Sequence, residues 1–490
     1  MGNQDRIVNK PEDIYNFLSE EGRKNCFDFS SVTFKCKIDF GNLIKNNLFN
    51  EVTFKNAIFE KDVVFENLIF AGLLSFEQTH FIGSANFSKS KFEAIADFNK
   101  ANFNNKVDFH LSTFNDSVYF LEAYFKGTVC FKGVKIYGEA NFHEAIFEDY
   151  VDFPNAKFKS DSNFRFLTFK DKVDFSETKF EGNADFYNTL FMSKAIFTNA
   201  QFSGDTGFVS AYFQDLSFFI NTKFYSKVDF FSAIFDNDAS FHSTQFHGLA
   251  IFAKVSFLKN TLFESSSFMG NATFLNSLFK GELNIFSGAI FSTHCVFQGA
   301  EIHNPSREIY CIRKHECLKY NNRIDALTFH QKEMHAYWNE LFGDDTWNEI
   351  KTKNYIIKIL KWLYRKIIKN FDEKFVLFFN RYSNYFGLSW RQGVLFTLFY
   401  VGIPFFLLYL ITLSQPYFTL EWNGWREFGT VLDTSLKYYV QFLNPAHSFY
   451  FMEEFKPNPA GLAYVIDGLS RIFITFGYYQ TIQAFRKYRF

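Results

Sequence analysis

Phenylalanine recurs in this chain at alternating intervals of five and six residues for more than two hundred positions. The regular series begins at Phe54 and continues, with an isoleucine standing in at Ile136, through Phe279. A fixed period sustained over such a length is typical of repeat architectures, in which each unit buries its apolar face only against its neighbours. The repeat therefore says much more about how the chain is built than about what it does.

The residue two positions before most of these phenylalanines is small or β-branched: Ala96 precedes Phe98, and Val107 precedes Phe109. Because alternate residues of a strand point to the same side, each unit is predicted to be a very short strand with two inward side chains. The Asn, Asp, Gly, Ser and Lys residues that follow are typical of turns. Six phenylalanines represent the predicted structural core: Phe98, Phe103, Phe109, Phe164, Phe175 and Phe230.

The alternation of five and six also predicts the number of sides of each coil. Successive coils stay in register only if a coil has an even number of sides, and two sides cannot enclose a core. Four sides are the natural solution, which gives 22 residues per coil. From Phe54 to Phe279 this corresponds to about ten coils and, at the usual strand spacing, a rod on the order of 50 Å long.

This repeat resembles that of the pentapeptide-repeat family, in the variant that reads A-x-F-x-x-x-x-F. Residues 96–103, Ala-Asp-Phe-Asn-Lys-Ala-Asn-Phe, match it, and the resemblance covers residues 27–300. It implies a β fold, a right-handed quadrilateral β-helix, which we assign to residues 23–305. Every second step carries one residue more than the family pattern. The count itself breaks at Asp39–Phe49 and Gly281–Phe286, where we expect the regular rod to end.

The N-terminal residues predict a cap on the repeat, and together with the cysteines of the chain they favour a cytoplasmic location. Residues 1–22 are interpreted as an N-terminal helical cap, because Pro11-Glu12-Asp13 followed by apolar residues is typical of a helix start. Met1–Lys10 is polar and lacks an apolar core, so no signal peptide is expected. The six cysteines show no CxxC spacing, which favours a reducing compartment.

After Pro305 the composition changes and predicts a helical linker over residues 306–387. Residues 306–342 indicate two helices, broken near Asn321-Asn322. Trp347–Asn370 interleaves apolar pairs with lysine and arginine, which predicts a basic amphipathic helix at a membrane surface. A helix packed on the rod is the alternative for this segment.

Residues 388–490 are interpreted as an α-helical membrane domain with two transmembrane helices. Val394–Leu413 contains twenty residues without a charge, enough to span a hydrocarbon core of ~30 Å. Residues 460–484 are the second predicted span. Between them, Leu432–Leu443 is apolar enough to re-enter the bilayer.

The second span contains three intramembrane polar candidates: Asp467, Arg471 and Gln480. Asp467 and Arg471 are four residues apart and can therefore meet on one helix face. Ionisable residues at membrane depth usually face a bundle interior or a watery cavity, so these positions are candidates for function.

The distribution of basic residues predicts the topology of an inner (plasma) membrane protein. Ten lysines and arginines lie between Lys351 and Arg391, and three more follow the second span, whereas Ser414–Pro459 has three. The positive-inside rule then places both termini and the whole repeat in the cytoplasm.

The chain shows no catalytic motif: GxxxxGK[ST], GxSxG and HExxH do not occur. His330 and His335 are five residues apart, which does not place both on one helix face. His315 lies between Cys311 and Cys317, but a zinc site needs four well-spaced ligands. We therefore predict no enzyme activity, no cofactor and no metal site.

Three functions remain open. The first is a membrane-anchored scaffold or sensor, in which the cytoplasmic rod binds an unidentified protein partner. The second is an oligomeric ion channel or pore-forming effector, gated by the rod, with a role in bacterial defence as a variant that rests on analogy alone. The order span, re-entrant segment, span suggests a channel. The predicted partners are thus the lipid bilayer, a protein, and further copies of the chain through the membrane part.

The third function comes from the resemblance alone. Some pentapeptide-repeat proteins bind DNA gyrase as duplex mimics, which requires a strongly acidic rod. Residues 21–305 carry 26 Lys and Arg against 32 Asp and Glu, a balance of −6, whereas residues 306–490 carry 23 against 16, a balance of +7. A balance of −6 is far below the charge density of a duplex, which argues against this function and against a nucleic-acid partner.

Overall fold

The structure is a computed structural model of the 490-residue chain. The chain divides into two compact units, Met1–Ser306 and Arg307–Phe490. The first is a β-solenoid and the second is helical. The residues that the structure describes are 6–17, 26–43, 48–281, 286–303, 305, 307–319, 321–342, 370–386, 388–412, 425–448 and 460–486.

The solenoid consists of four parallel sheets, which we number in the order in which each coil passes through them. Sheet 1 has 14 strands: Ile7–Val8, Thr33–Phe34, Ile58–Phe59, His80–Phe81, Asn102–Phe103, Tyr124–Phe125, Ile146–Phe147, Thr168–Phe169, Leu190–Phe191, Tyr212–Phe213, Ile234–Phe235, Ser256–Phe257, Leu278–Phe279 and Glu301–Ile302. Sheet 2 has 11 strands: Ile38–Asp39, Val63–Val64, Ala85–Asn86, Val107–Asp108, Val129–Cys130, Val151–Asp152, Val173–Asp174, Ala195–Ile196, Ser217–Phe218, Ala239–Ser240 and Thr261–Leu262.

Sheets 3 and 4 complete each coil. Sheet 3 has 12 strands: Leu48–Phe49, Ile69–Phe70, Lys91–Phe92, Thr113–Phe114, Lys135–Ile136, Lys157–Phe158, Lys179–Phe180, Gln201–Phe202, Lys223–Phe224, Gln245–Phe246, Ser267–Phe268 and Ile290–Phe291. Sheet 4 has 13 strands: Cys26–Asp28, Glu51–Thr53, Leu74–Ser75, Ala96–Asp97, Val118–Tyr119, Ala140–Asn141, Ser162–Asn163, Ala184–Asp185, Thr206–Gly207, Val228–Asp229, Ala250–Ile251, Ala272–Thr273 and Cys295–Val296. This order of sheets places sheet 1 opposite sheet 3 and sheet 2 opposite sheet 4.

The register confirms the predicted 22-residue coil. Phe81 pairs with Phe103, and Phe103 pairs with Phe125, each 22 residues further along the chain. The 14 strands of sheet 1 correspond to about thirteen turns, or on the order of 60 Å of stacked strands.

The two breaks in the count alter single coils and do not end the solenoid. Thr33 pairs with Ile58, 25 residues on, because this coil also holds the short helix α1, Phe40–Leu43. Ser267 pairs with Ile290, 23 residues on, and strands continue to Glu301–Ile302. Extra residues are taken up between the strands, so the stack extends beyond both breaks where we expected it to stop.

The core consists of the predicted pairs of inward side chains. Ala96 and Phe98 are fully buried, and Asp97 between them faces outward. All six phenylalanines predicted to form the core have 0% exposure. The rings stack one coil above another, as for Phe81 and Phe103, whose centroids are 4.6 Å apart with planes 4° apart. Such ladders bury large apolar areas and add favourable offset ring contacts.

Two kinds of corner alternate, which explains the extra residue in every second step. The five-residue step from Phe98 turns through Lys100, whose φ is 57°, and the amide of Ala101 donates to the Phe98 carbonyl at 3.1 Å. The six-residue step that follows has a longer corner, where Asn105 Oδ1 accepts from the amide of Lys106 at 2.8 Å. A left-handed residue recurs once every eleven positions along most of the solenoid.

Several buried hydroxyl groups at the five-residue corners donate to the backbone of the preceding coil. Thr178 Oγ1 donates to the carbonyl of Phe153 at 2.7 Å, and Thr222 Oγ1 donates to that of Phe197 at 2.7 Å. At these two positions the carbonyl below offsets the cost of burying the hydroxyl. Ser162, Ser217 and Thr261, at inward positions of the six-residue steps, have buried hydroxyls without a partner among the described residues.

The N-terminal residues join the solenoid. The strand Ile7–Val8 pairs with Thr33–Phe34 in sheet 1. The short helix expected at Pro11 is a 3₁₀ helix over Pro11–Phe17, and its Ile14 is fully buried.

The helical unit contains six described helices. They are α2 (Arg307–Lys319), α3 (Arg323–Phe342), α4 (Phe371–Asn384), α5 (Trp390–Ile411), α6 (Trp425–Phe442) and α7 (Ala460–Arg486). The break between α2 and α3 lies at Asn321-Asn322, as predicted. Within α5, the turn Phe396–Gly402 has π-helical geometry just before Pro404, a residue that cannot donate to the helix. The predicted basic amphipathic helix lies outside the described residues, except for Asn370.

One helix of the described part is long and apolar enough to cross a membrane. It is α5, 22 residues with a mean hydropathy of 2.3, and it overlaps the predicted span Val394–Leu413. Helix α7 is continuous over 27 residues, but its polar side chains lower its mean hydropathy. The second span therefore stays a prediction.

Candidate functional site

Helices α5, α6 and α7 pack closely through small residues. A Cβ atom at Gly477 of α7 would lie 2.2 Å from Thr397 Oγ1 of α5, and one at Gly393 of α5 would lie 2.5 Å from Thr481 Oγ1 of α7. Helix α6 contributes Tyr439, whose hydroxyl donates to the carbonyl of Leu398 within the wide turn of α5. Small residues that let helix backbones approach are typical of helix packing in membranes.

The sides of these helices that face away from the packed centre are apolar. On α7 the exposed residues include Val465 and Ile472, which are 58% and 65% exposed. On α6, three residues one turn apart are exposed: Leu432, Leu436 and Val440. Apolar surface of this kind marks a site of contact with lipid or with protein.

The polar residues of α7 lie inside. Asp467 accepts from Arg471 Nε at 2.9 Å, one helical turn further on, so the structure brings together the two residues that the sequence singled out. The other carboxylate oxygen of Asp467 lies 2.8 Å from Nε2 of His447. The side chains of His447 and Asp467 are 3% and 7% exposed. A buried carboxylate with two such partners is electrostatically compensated, whereas one without them would be strongly destabilising.

This network holds the segment that follows α6. The guanidinium of Arg471 donates to the carbonyl of His447 at 2.8 Å and to that of Pro445 at 3.3 Å. The Tyr478 hydroxyl donates to the carbonyl of Leu443 at 3.0 Å. Residues 443–447 are thus fixed to α7 at both ends, and we call them, with Asp467 and Arg471, the polar clamp.

Gln480, the third predicted polar residue, is not part of the polar clamp. Its Nε2 lies 3.3 Å from Oδ1 of Asn380, so it links α7 to α4. Sequence reasoning missed His447, which is the one histidine after residue 342. Its position shortly after the apolar segment Leu432–Leu443 is the signal that could have identified it.

The other titratable clusters have structural roles. Between α2 and α3, Lys314 Nζ lies 2.6 Å from Glu333 Oε2. Burial opposes ionisation of Glu333, but Lys314 and His330 outweigh it and hold the pKa of this carboxyl below its usual value. His335 does not join His330; its Nε2 lies 3.2 Å from the Tyr385 hydroxyl. Within the described part of the chain, no group of three or more His, Cys, Asp or Glu could hold a metal ion.

On sheet 2 of the solenoid, Cys130 lies in register between Asp108 and Asp152. Burial, followed by these carboxylates, raises the pKa of the Cys130 thiol to about 12. Burial also raises the pKa of Asp152. Since the thiolate is the nucleophile, this cysteine stays protonated and unreactive near neutral pH.

Comparison with known proteins identifies the repeat. A family model of pentapeptide repeats matches residues 76–123, 120–166 and 168–211, in nine copies. These residues lie wholly within the solenoid. No curated protein and no solved structure matches the chain.

Proposed function

The repeat region of this chain belongs to the pentapeptide-repeat family, and from this premise we propose that the protein is a non-enzymatic membrane protein. We further propose that several copies of the helical unit assemble and conduct ions. In this proposal the solenoid is the module that binds a partner and controls opening. The observation that carries it is the polar clamp, which fixes the segment after α6 against α7 through a buried carboxylate.

The proposal takes α5 and α7 as two membrane spans. Helix α5 has the required length and hydropathy. Helix α7 is 27 residues long, about 40 Å at 1.5 Å per residue, which exceeds a hydrocarbon core. Its Asp467 is nearly buried and paired, while Val465 and Ile472 are turned outward, which is the distribution expected of a spanning helix.

Helix α6 supports a pore more than a simple anchor. Two spans alone would hold the rod at the membrane and would need no helix between them that packs against the first span and continues into a loop bonded to the second. Here α6 contacts α5 through Tyr439 and Phe406, and its C-terminal segment is held by Arg471. The order span, helix, fixed loop, span resembles the outline of two-helix channels. No TVGYG-type filter lies between the spans, and the carbonyls of Leu443, Pro445 and His447 are bonded to α7, so other groups would have to line the pore.

Conductance of the purified full-length protein in planar bilayers tests the proposal. We expect channel openings from the wild type and none from Asp467→Ala, because Arg471 would lose its buried partner and release residues 443–447. Gly468→Ala is the matched control, since a Cβ at this neighbouring position meets nothing within 4 Å. Tryptophan fluorescence, whose six reporters all lie after residue 337, checks that the helical unit of each variant is folded.

Asp467→Asn keeps the shape of the side chain and removes its charge, so we expect it to reduce conductance less than Asp467→Ala does. A wild-type protein that stays silent over a wide voltage range would contradict the channel proposal. Equal currents from all four proteins would show that the polar clamp has no part in conduction.

A membrane-anchored scaffold or sensor is the second candidate. It is favoured by the finding that one described helix, α5, meets the criteria for a span, together with the long surface of the solenoid. A silent protein that co-purifies with a cytoplasmic protein, and loses it when the solenoid surface is mutated, would support this function.

Both candidates include the same topology, with the two termini and the solenoid in the cytoplasm and the protein in the inner membrane. Support comes from the basic residues between Lys351 and Arg391 and after α7. Single cysteines placed at Asn9 and in the 449–459 segment test it in intact cells. We expect an impermeant thiol reagent to label the second and not the first; the reverse pattern would overturn the topology.

A further inference from the structure

Sheet 3 of the solenoid presents a row of lysines on its outer side. Lys135, Lys157 and Lys179 pair in register on three consecutive coils. Lys223 follows two coils later, after Gln201. At the usual strand spacing of ~4.8 Å these four side chains, which we call the lysine row, cover about 19 Å along the solenoid.

The lysine row lacks carboxylate partners. Within the described residues none of its four ammonium groups makes an ion pair, whereas Lys170, at the corner that follows sheet 1, lies 2.6 Å from Glu148. The acid at the adjacent corner, Glu181, is already paired with Lys159 at 2.6 Å. Like charges stacked one strand apart repel each other. Anions bound along the lysine row would reduce this repulsion, and the described part of the solenoid supplies none.

The outward positions of the other sheets have a different chemistry. Sheet 1 carries neutral and apolar side chains such as Leu190 and Ile234. Sheets 2 and 4 carry carboxylates such as Asp174 and Asp185. Sheet 3 is therefore the cationic side of the solenoid. Sheets 2 and 4 would repel an anionic surface, and sheet 1 would have no electrostatic attraction to it.

We propose that the lysine row binds the anionic headgroups of a lipid bilayer. Lysines near an anionic leaflet are attracted within the Debye length, and several acting together give stable yet reversible contact. A bilayer is favoured over other polyanions because the same chain contains α5, a helix suited to cross one. The proposal rests on membrane attachment and does not depend on ion conduction.

Fluorescence quenching in proteoliposomes tests this inference on the full-length chain. A fluorophore is attached to a single cysteine at Gln201, in a background whose native cysteines are replaced, and nitroxide-headgroup lipids serve as quenchers. We expect quenching when phosphatidylglycerol is mixed with phosphatidylcholine, and little in phosphatidylcholine alone. A fluorophore at Thr168 on the opposite sheet is the matched probe, and we expect it to stay unquenched in both.

Removal of the lysine charges and addition of salt test whether the lysine row causes the quenching at Gln201. Changing all four lysines of the row to glutamine should abolish the quenching at Gln201, and so should ~1 M salt, at which the Debye length shrinks to about 3 Å. The control variant removes the same charge from four exposed lysines off sheet 3 (Lys61→Gln, Lys126→Gln, Lys194→Gln and Lys259→Gln) and should keep the quenching.

Several outcomes would overturn the inference. Equal quenching at Gln201 and Thr168, or quenching that persists in the four-glutamine variant, would show that the lysine row does not direct the contact. Binding of single-stranded DNA or polyglutamate at Gln201, without any effect of phosphatidylglycerol, would assign the row to another polyanion. Resistance of the protein to carbonate extraction reports membrane insertion separately, and bilayer conductance reports the proposed channel.

Discussion

In the solenoid each buried ring meets a copy of itself one coil away, whereas in the helical unit each buried contact occurs once. Phe164 stacks on Phe142 at 5.2 Å and on Phe186 at 4.6 Å, and the same arrangement recurs along the ladder. Gly477 faces Thr397 in a contact that no repeat duplicates. The solenoid thus distributes its stability over many equivalent layers, while the helical unit concentrates it at a few positions.

The two units can be followed separately in one experiment. All six tryptophans lie after residue 337, so tryptophan fluorescence reports the helical unit. All strands of the described residues lie before residue 303, so the β signal in circular dichroism reports the solenoid. Each comparison below uses the signal of the unit concerned, on the full-length protein in detergent.

The largest expected effect is the loss of a core ring. Phe164→Ala should lower the free energy of unfolding of the solenoid by ~3–5 kcal/mol, because it removes a fully buried aromatic ring from the ladder. Phe231→Ala is the control: this side chain is 38% exposed, and its loss should cost less than about 0.5 kcal/mol. Urea unfolding followed by circular dichroism measures both, and similar values would mean that Phe164 does not lie in a core.

Two glycines of α7 should respond to alanine with opposite signs. Gly477→Ala places a Cβ 2.2 Å from Thr397 Oγ1 and should destabilise the helical unit by ~1–3 kcal/mol. Gly468→Ala adds a Cβ in open space and should stabilise the helix by up to about 1 kcal/mol. Unfolding followed by tryptophan fluorescence measures the difference. If both variants lose the same stability, α5 and α7 do not pack as described.

The smallest expected effect is a difference in pH dependence. Burial opposes ionisation of Glu333, but Lys314 outweighs burial and the pKa of this carboxyl is lowered. Its contribution to the stability of the helical unit is therefore present above the ordinary pKa of 4.5 and is lost as the pH falls through the lowered pKa. Burial raises the pKa of Asp152, so its contribution is present below the ordinary value of 3.8 and is lost as the pH rises through the raised pKa.

Acid below pH 4.5 should therefore weaken the α2–α3 pair, whereas acidification should favour the solenoid at Asp152. Unfolding midpoints of the two signals, measured from neutral to acidic pH, give the two slopes. Glu333→Gln should flatten the slope of the helical unit, and Asp152→Asn that of the solenoid. Slopes that do not change in the two variants would assign the pH dependence to other groups.

Much of the solenoid was predictable because one constraint is repeated many times. The spacing of Phe98, Phe103 and Phe109 is compatible with one kind of four-sided coil, and each further repeat tests the same interpretation. The left-handed backbone at Lys100 was not predictable in the same way, because lysine does not favour that conformation. Only the need to close a tight corner places it there.

The polar clamp shows the opposite case. A spacing of four residues indicated that Asp467 and Arg471 can meet, and they do. Nothing in the local sequence joined them to His447, twenty residues earlier, because that contact depends on how the segment after α6 returns to α7. The hydropathy pattern likewise indicated where α5 lies but not that Gly477 and Gly393 bring α7 against it.

By itself the sequence determined the period, the inward phenylalanines and hence the coiled β architecture, since alternate positions of a strand must share one side and identical units must stack. Only the tertiary structure decided which single residues meet in the helical unit and which outward side chains gather on one sheet. The physical reason is that periodic contacts are encoded many times over, whereas a unique contact depends on the path of the whole chain.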